Sequence, residues 1–159
     1  MKTIILYATK YGAAEEISKR IAAQIENADT YDLKQENPPP LSNYDCVIIG
    51  SSVYAGSFRK EAKSYLAQNA DELTKKKIAL FICAMGDEST DEILKTNVPD
   101  EVIKAATATG TLGGIFDPKK ANFFERLIMK IVTKQSGPLN RIDKINNEKI
   151  NTFTEAIKA

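Results

Sequence analysis

The chain has 159 residues, 43% of them apolar, a size that suits one domain burying about two-thirds of its unfolded surface. With 22 Lys and Arg against 21 Asp and Glu the net charge is +1, so whole-chain charge selects neither nucleic acid nor strongly acidic partners. Histidine is absent, which removes Ser-His and Cys-His nucleophile pairs and most transition-metal sites, where imidazole is the usual base and ligand.

The run KTIILYA at 2–8 predicts a first strand, and from Ala14 the apolar positions Ile17, Ile21 and Ile25 recur every four residues on one helix face. TYDL at 30–33 reads as a weak second strand, followed by the proline-rich surface connection 34–43. YDCVIIGSS at 44–52 predicts a buried third strand, and 58–73 a helix turning Ala62, Tyr65, Leu66 and Leu73 inward. A fourth strand follows at 77–85. Two short helical pieces come next, 89–96 and 99–108, with Pro99 at a first-turn position, then a glycine-rich fifth strand at 109–116. The last quarter predicts a helix at about 120–134, a turn at SGP (136–138) and a closing helix at about 146–158. Cys46 and Cys83 stand alone in apolar runs and read as small buried hydrophobes. The four-residue apolar run after Lys2 is too short for a signal peptide, and nowhere do 18 apolar residues run together, so the expectation is a soluble, cytoplasmic protein.

Alternation of strands and helices means βαβ units, and right-handed crossovers give an α/β fold: a three-layer, doubly wound, five-stranded parallel sheet. The order 2-1-3-4-5 places a ligand beyond the carboxyl ends of the strands, where the loops 9–14, 51–57 and 84–89 meet. The first of these, in YATKYGAAEEIS (7–18), turns without Asp, Asn or Pro. Its lone Gly12 fits neither a G-x-G-x-x-G dinucleotide loop nor a P-loop. An anion at the helix start fits, because first-turn N–H groups lack partners and carry the positive dipole end, while Thr9 adds a hydroxyl, Lys10 a charge and Gly12 close backbone approach. The plainer reading makes Thr9 a cap and Lys10 a solvated surface charge, and Glu15 and Glu16 favour it by complementing the same dipole. In the second loop Tyr54 is placed to stack on a flat heterocycle whose edge Gly50 and Gly56 let the backbone approach; the alternative is a half-exposed loop tyrosine. In the third, Asp87 and Glu88 either set negative charge beside a ligand or belong to the polar start of the helix at Ser89.

These three loops, YATKYGAAEEIS, GSSVYAGSF (50–58) and CAMGDES (83–89), together resemble the flavodoxin-like family over most of the chain. GSSVYAGSF with GGIFDPKKANFFERLIMKIVTKQSG (113–137) resembles more narrowly the flavodoxin-domain branch that includes the menaquinone-dependent protoporphyrinogen oxidases. The resemblance implies one flavodoxin-like domain, 1–159, with a helical insertion after the fifth strand at 117–141, and non-covalent FMN. Thr9, Lys10, Tyr11, Gly12, Ala13 and Ala14 would wrap the phosphate. Ser51, Ser52, Val53, Tyr54, Ala55 and Gly56 would flank the isoalloxazine, and Ala84, Met85, Gly86 and Asp87 would close its other side. The family's phosphate loop commonly ends in a hydroxyl residue; Ala13 and Ala14 supply none, which implies weaker FMN binding.

The function classes left open are an FMN-dependent oxidoreductase acting on a tetrapyrrole with a quinone, an electron carrier docking on a redox protein, and a flavin-free interaction module. Carriers of this kind are usually strongly acidic, and net +1 argues against one. Segment 117–141 carries six basic residues against two acidic ones, a local +4. There Phe124, Leu127, Ile128 and Ile131 share one helix face while Arg126, Lys130 and Lys134 repeat every four along another. Phe124, Arg126, Lys130 and Lys134 are thus candidates for a platform toward substrate or the inner face of a membrane, against the plain alternative that the apolar face packs on the sheet. No residue is assigned to catalysis, and no metal or nucleic acid is expected.

Overall fold

The computed structural model describes residues 1–35 and 37–159, so the expected connection 34–43 is described except at residue 36. Five parallel strands lie side by side: β1 (Thr3–Ala8), β2 (Ala28–Asp32), β3 (Cys46–Tyr54), β5 (Lys77–Cys83) and β6 (Ala106–Thr111). A sixth, β4 (Ser57–Phe58), pairs antiparallel with the end of β3. The order β2-β1-β3-β5-β6 is the expected 2-1-3-4-5 winding.

Period-two alternation along the central strands feeds two cores, because both faces are covered by helices. Ile4, Leu6, Val47, Ile49, Leu80 and Ile82 point to the layer holding α2 (Lys60–Gln68), α3 (Ala70–Leu73), α4 (Thr90–Asn97) and α5 (Asp100–Ala105), meeting Ala62, Leu66, Leu73, Ile93, Leu94 and Val102. Ile5, Ile48, Ala79 and Phe81 point the other way, onto Ile17 and Ile21 of α1 (Ala13–Ala22) and Ile150, Phe153 and Ile157 of α7 (Asn147–Lys158). Cys46 and Cys83 are buried in this second core as free thiols; burial pushes both thiols up, Cys83 most strongly.

Several expected boundaries shift. The helix expected at 58–73 breaks at Asn69, whose backbone leaves the helical region (φ −115°, ψ 12°) and whose amide donates to the Tyr65 carbonyl at 2.9 Å. Pro99 caps α5 from outside, its ψ of 138° being extended, rather than sitting in the first turn. The fifth strand is Ala106–Thr111, not 109–116, and the helical piece ends at Ala105. The alanines at 105, 106 and 108 suit a helix locally, and pairing of Ala106–Thr111 with β5 overrides that preference. Ile115–Phe116 becomes a separate strand, β7, pairing antiparallel with β8 (Ile142–Asp143). Between them runs α6 (Phe123–Thr133), which terminates at Lys134 in the left-handed region (φ 54°).

Candidate functional site

Register brings the three loops together. β1 ends at Ala8 opposite Ser51 and β5 at Cys83 opposite Ser52, so the loops after them open beside the end of β3, which runs on to Tyr54. Beyond them lies a cavity of about 490 Å³ lined by Lys10, Tyr11 and Ala13, by Ser52–Ala55, and by Cys83–Gly86, a volume within the range of small-molecule sites. Glu125, Ile128, Met129 and Val132 of α6 roof it, and Phe116, Ile142, Lys144 and Arg59 complete the wall. Ser52 Oγ is buried there without a hydrogen-bond partner, a polar group that the edge of a bound heterocycle can satisfy.

Six of the sequence candidates stand behind the lining rather than on it. Thr9 Oγ1 accepts the Gly12 N–H at 3.0 Å, and Gly12 caps α1 at φ 91°. Ala14 is fully buried beneath the corner. Ser51 Oγ donates to the Ser52 carbonyl at 2.9 Å and accepts from the Arg59 N–H at 3.0 Å. Gly56 lies at the tip of the β3–β4 hairpin, and Asp87 faces a neighbouring groove beside Thr90 and Lys149, whereas Glu88 borders both spaces. The objection raised by the acidic first turn of α1 is resolved locally: Glu15 accepts from Lys19 at 2.6 Å and Glu16 from Arg20 at 2.9 Å, one turn down the helix and away from the loop.

The second loop is a two-residue hairpin. Val53 faces Phe58 and Tyr54 faces Ser57, with Ala55 (φ 48°) and Gly56 (φ 77°) turning the chain; positive φ at both positions matches the twist of the strands. Alanine is uncommon there and costs about 1–2 kcal/mol, so backbone strain sits beside the cavity. The buried Asn97 at the end of α4 pins this hairpin: its Oδ1 accepts from Phe58 N–H at 2.9 Å and its Nδ2 donates to the Gly56 and Ile93 carbonyls, both at 2.8 Å. Replacing Asn97 with leucine strands those backbone groups, which should cost about 1–3 kcal/mol and lower Tm by roughly 2–12 °C at this chain length. Thermal unfolding and faster amide exchange at Phe58 are the readouts.

Glu125 is the node that sequence reasoning left unassigned. It is 7% exposed and is the one buried residue of α6, while Phe123, Phe124, Leu127, Ile128, Ile131 and Val132 are exposed, two of them above 70%. The apolar face of α6 therefore does not pack on the sheet. Glu125 completes a capping box with Asn122, the N-x-x-E spacing that was legible in the sequence. Its carboxylate also accepts from Tyr11 O–H at 2.5 Å and pairs with Lys10 Nζ, contacts 114 and 115 residues away that no local pattern announces. Burial opposes its ionisation, yet hydrogen bonds from Lys10, Tyr11 and the Asn122 N–H hold the carboxyl below its usual range. Burial and the Glu125 contact push the Tyr11 phenol up, so its proton stays on. Tyr11 meets Phe116 edge to face at 5.4 Å, which locks the loop to β7. All three basic candidates are exposed, and Arg126 also donates twice to the Ala121 carbonyl, at 3.0 and 2.8 Å.

A family model described as a flavodoxin domain matches residues 4–141. The chain is 26% identical over 147 residues to protoporphyrinogen IX dehydrogenase (quinone) of Leishmania major, covering 86% of this chain and 64% of that protein. To the Escherichia coli K12 protein of the same name it is 23% identical over 148 residues, 86% of this chain and 81% of that one. Among solved structures, a Lactobacillus acidophilus flavoprotein in complex with FMN superposes with a TM-score of 0.56 at 16% identity, over 69% of this chain and 92% of that one.

Proposed function

The chain belongs to the flavodoxin-domain family, and from that premise we propose that it is an FMN-dependent oxidoreductase that takes electrons from a porphyrinogen and passes them to a quinone. One observation carries the reading: the three loops converge on a cavity that a helix with an exposed apolar face and flanking cations roofs. Lys10, the Tyr11 hydroxyl and the first-turn N–H groups of α1 would hold the phosphate. Ser52–Ala55 and Ala84–Gly86 would flank the ring, with Tyr54 at the rim and the orphaned Ser52 hydroxyl toward its polar edge. FMN, when bound, supplies the hydride and electron chemistry. The chain's own residues supply the rest. Met85, Phe116, Ile128, Met129 and Val132 keep water from the ring, and Arg59 and Lys144 bring positive charge to the wall.

Protoporphyrinogen is apolar in its ring and carries two propionates, which suits an apolar helix face edged by Lys130 and Lys134. The names of the Leishmania and Escherichia relatives support this substrate class. Anaerobic turnover of protoporphyrinogen with a menaquinone analogue tests it; reduction by ferredoxin with no porphyrinogen turnover would favour the electron-carrier alternative.

The exposed face of α6 suits an anionic membrane surface, with Lys119 and Lys120 just upstream; no helix among the described residues is long and apolar enough to cross a membrane. Changing Arg126, Lys130 and Lys134 together to glutamine should weaken binding to anionic vesicles by roughly a hundredfold, each cation contributing about 1 kcal/mol near such a surface. Added salt should mimic the loss. Vesicle co-sedimentation reads it, and unchanged partitioning would remove the membrane from the account.

A further inference from the structure

α6 is fastened to the domain in an unusual way. Phe123, Phe124, Leu127 and Ile131 face outward, Ile128, Met129 and Val132 only edge the cavity, and its one buried side chain is a carboxylate. The partners of that carboxylate, Lys10 Nζ and Tyr11 O–H, belong to the corner that opens α1, and Glu125, Lys10 and Tyr11 all line the same cavity. The donors that a phosphate would need are therefore already engaged by an anion from within the chain.

We propose that Glu125 is a carboxylate latch that occupies the anion subsite of this corner and competes with the phosphate of FMN for Lys10 and Tyr11, so that phosphate binding releases the start of α6. The inference rests on the FMN reading given above and adds a coupling to it. Two anions sharing one ammonium and one phenol repel each other, and at the effective dielectric near a protein surface that repulsion is large compared with thermal energy at such distances. Linkage makes the effect reciprocal: whatever Glu125 takes from phosphate affinity, bound phosphate takes from the fastening of α6. Cofactor occupancy then sets how freely the apolar, cation-bearing helix can present Phe123, Phe124 and Ile131, 76%, 71% and 70% exposed, to a surface or substrate.

Glu125→Gln removes the charge and keeps the shape, and glutamine at the third helical position still closes the box with Asn122, so the helix retains its start. Apoprotein of the natural chain and of Glu125→Gln would each be titrated with FMN and with riboflavin by quenching of flavin fluorescence. The expected result is tighter FMN binding by the variant, by about tenfold to a hundredfold, the range of typical coupling between sites, with riboflavin affinity alike in the two. Amide exchange across 123–133 of the natural chain should quicken on adding FMN but not riboflavin. FMN binding that is equal or weaker in Glu125→Gln would overturn the latch and make Glu125 a strut of the loop. Failure of both proteins to bind FMN would overturn the proposed function, and the latch with it.

Discussion

Thr9→Ala combined with Lys10→Ala is expected to weaken FMN binding by roughly 2–4 kcal/mol, about thirtyfold to a thousandfold in Kd. The two side chains act differently. Thr9 stands behind the cavity lining, where its Oγ1 accepts the Gly12 N–H and so shapes the turn that presents the first-turn N–H groups. Lys10 brings the one cationic side chain of the corner, held over the Tyr11 ring at 5.6 Å. Loss of the first loosens the backbone cradle, and loss of the second removes a charge-assisted contact. The fold should survive, because the core beneath the corner is built from Ala14, Ile17 and Ile21 rather than from either residue. Equilibrium titration of the double variant, with circular dichroism as the folding control, checks both halves.

The second large effect is structural. Gly113 has φ 97°, and a Cβ there would lie 2.0 Å from the Lys144 carbonyl oxygen and 2.8 Å from Ile145 Cα. Those are backbone atoms and cannot rotate away. At this crossing Lys144 N–H donates to the Gly114 carbonyl at 2.8 Å and Asn146 N–H to the Leu112 carbonyl at 3.0 Å, bonds that carry the chain from β8 into α7. Gly113→Ala combines left-handed backbone strain with a clash against backbone, and should cost about 3–5 kcal/mol, or roughly 6–20 °C in Tm at this length. Since Lys144 and Ile142 line the cavity, the variant should also lose flavin affinity at temperatures where it remains folded. An unchanged Tm would mean that the crossing at Gly113 is not as tight as described.

How far the sequence reached depends on the range of the interactions involved. The parallel sheet, its order and the position of the cavity follow from periodicity and crossover handedness, which are local or general properties, and the apolar runs at 3–8, 46–52 and 77–83 are clear strands. The strand Ala106–Thr111 is hard to read because its inward positions carry only Ala106, Ala108 and Gly110, too small to give a strong apolar alternation, and its alanines continue the preceding helix until pairing with β5 decides. Lys10, Tyr11, Ser52–Ala55 and Ala84–Gly86 were legible as site candidates, since the topology sends those loops to one place. Arg59, Phe116, Glu125 and Lys144 were not, because each reaches the cavity through a tertiary crossing. Asn97 is the plainest case: nothing in KTNVPD marks that asparagine as the pin of a hairpin 41 residues earlier.

The central claim is that the corner after β1 recognises the phosphate of a flavin. The most direct measurement compares FMN with riboflavin on the unmodified apoprotein by isothermal titration under one buffer without phosphate. The account predicts FMN tighter by at least about tenfold, since a phosphate engaging Lys10, Tyr11 and first-turn N–H groups gains several charge-assisted hydrogen bonds that riboflavin cannot make. Equal affinity for the two flavins would contradict it.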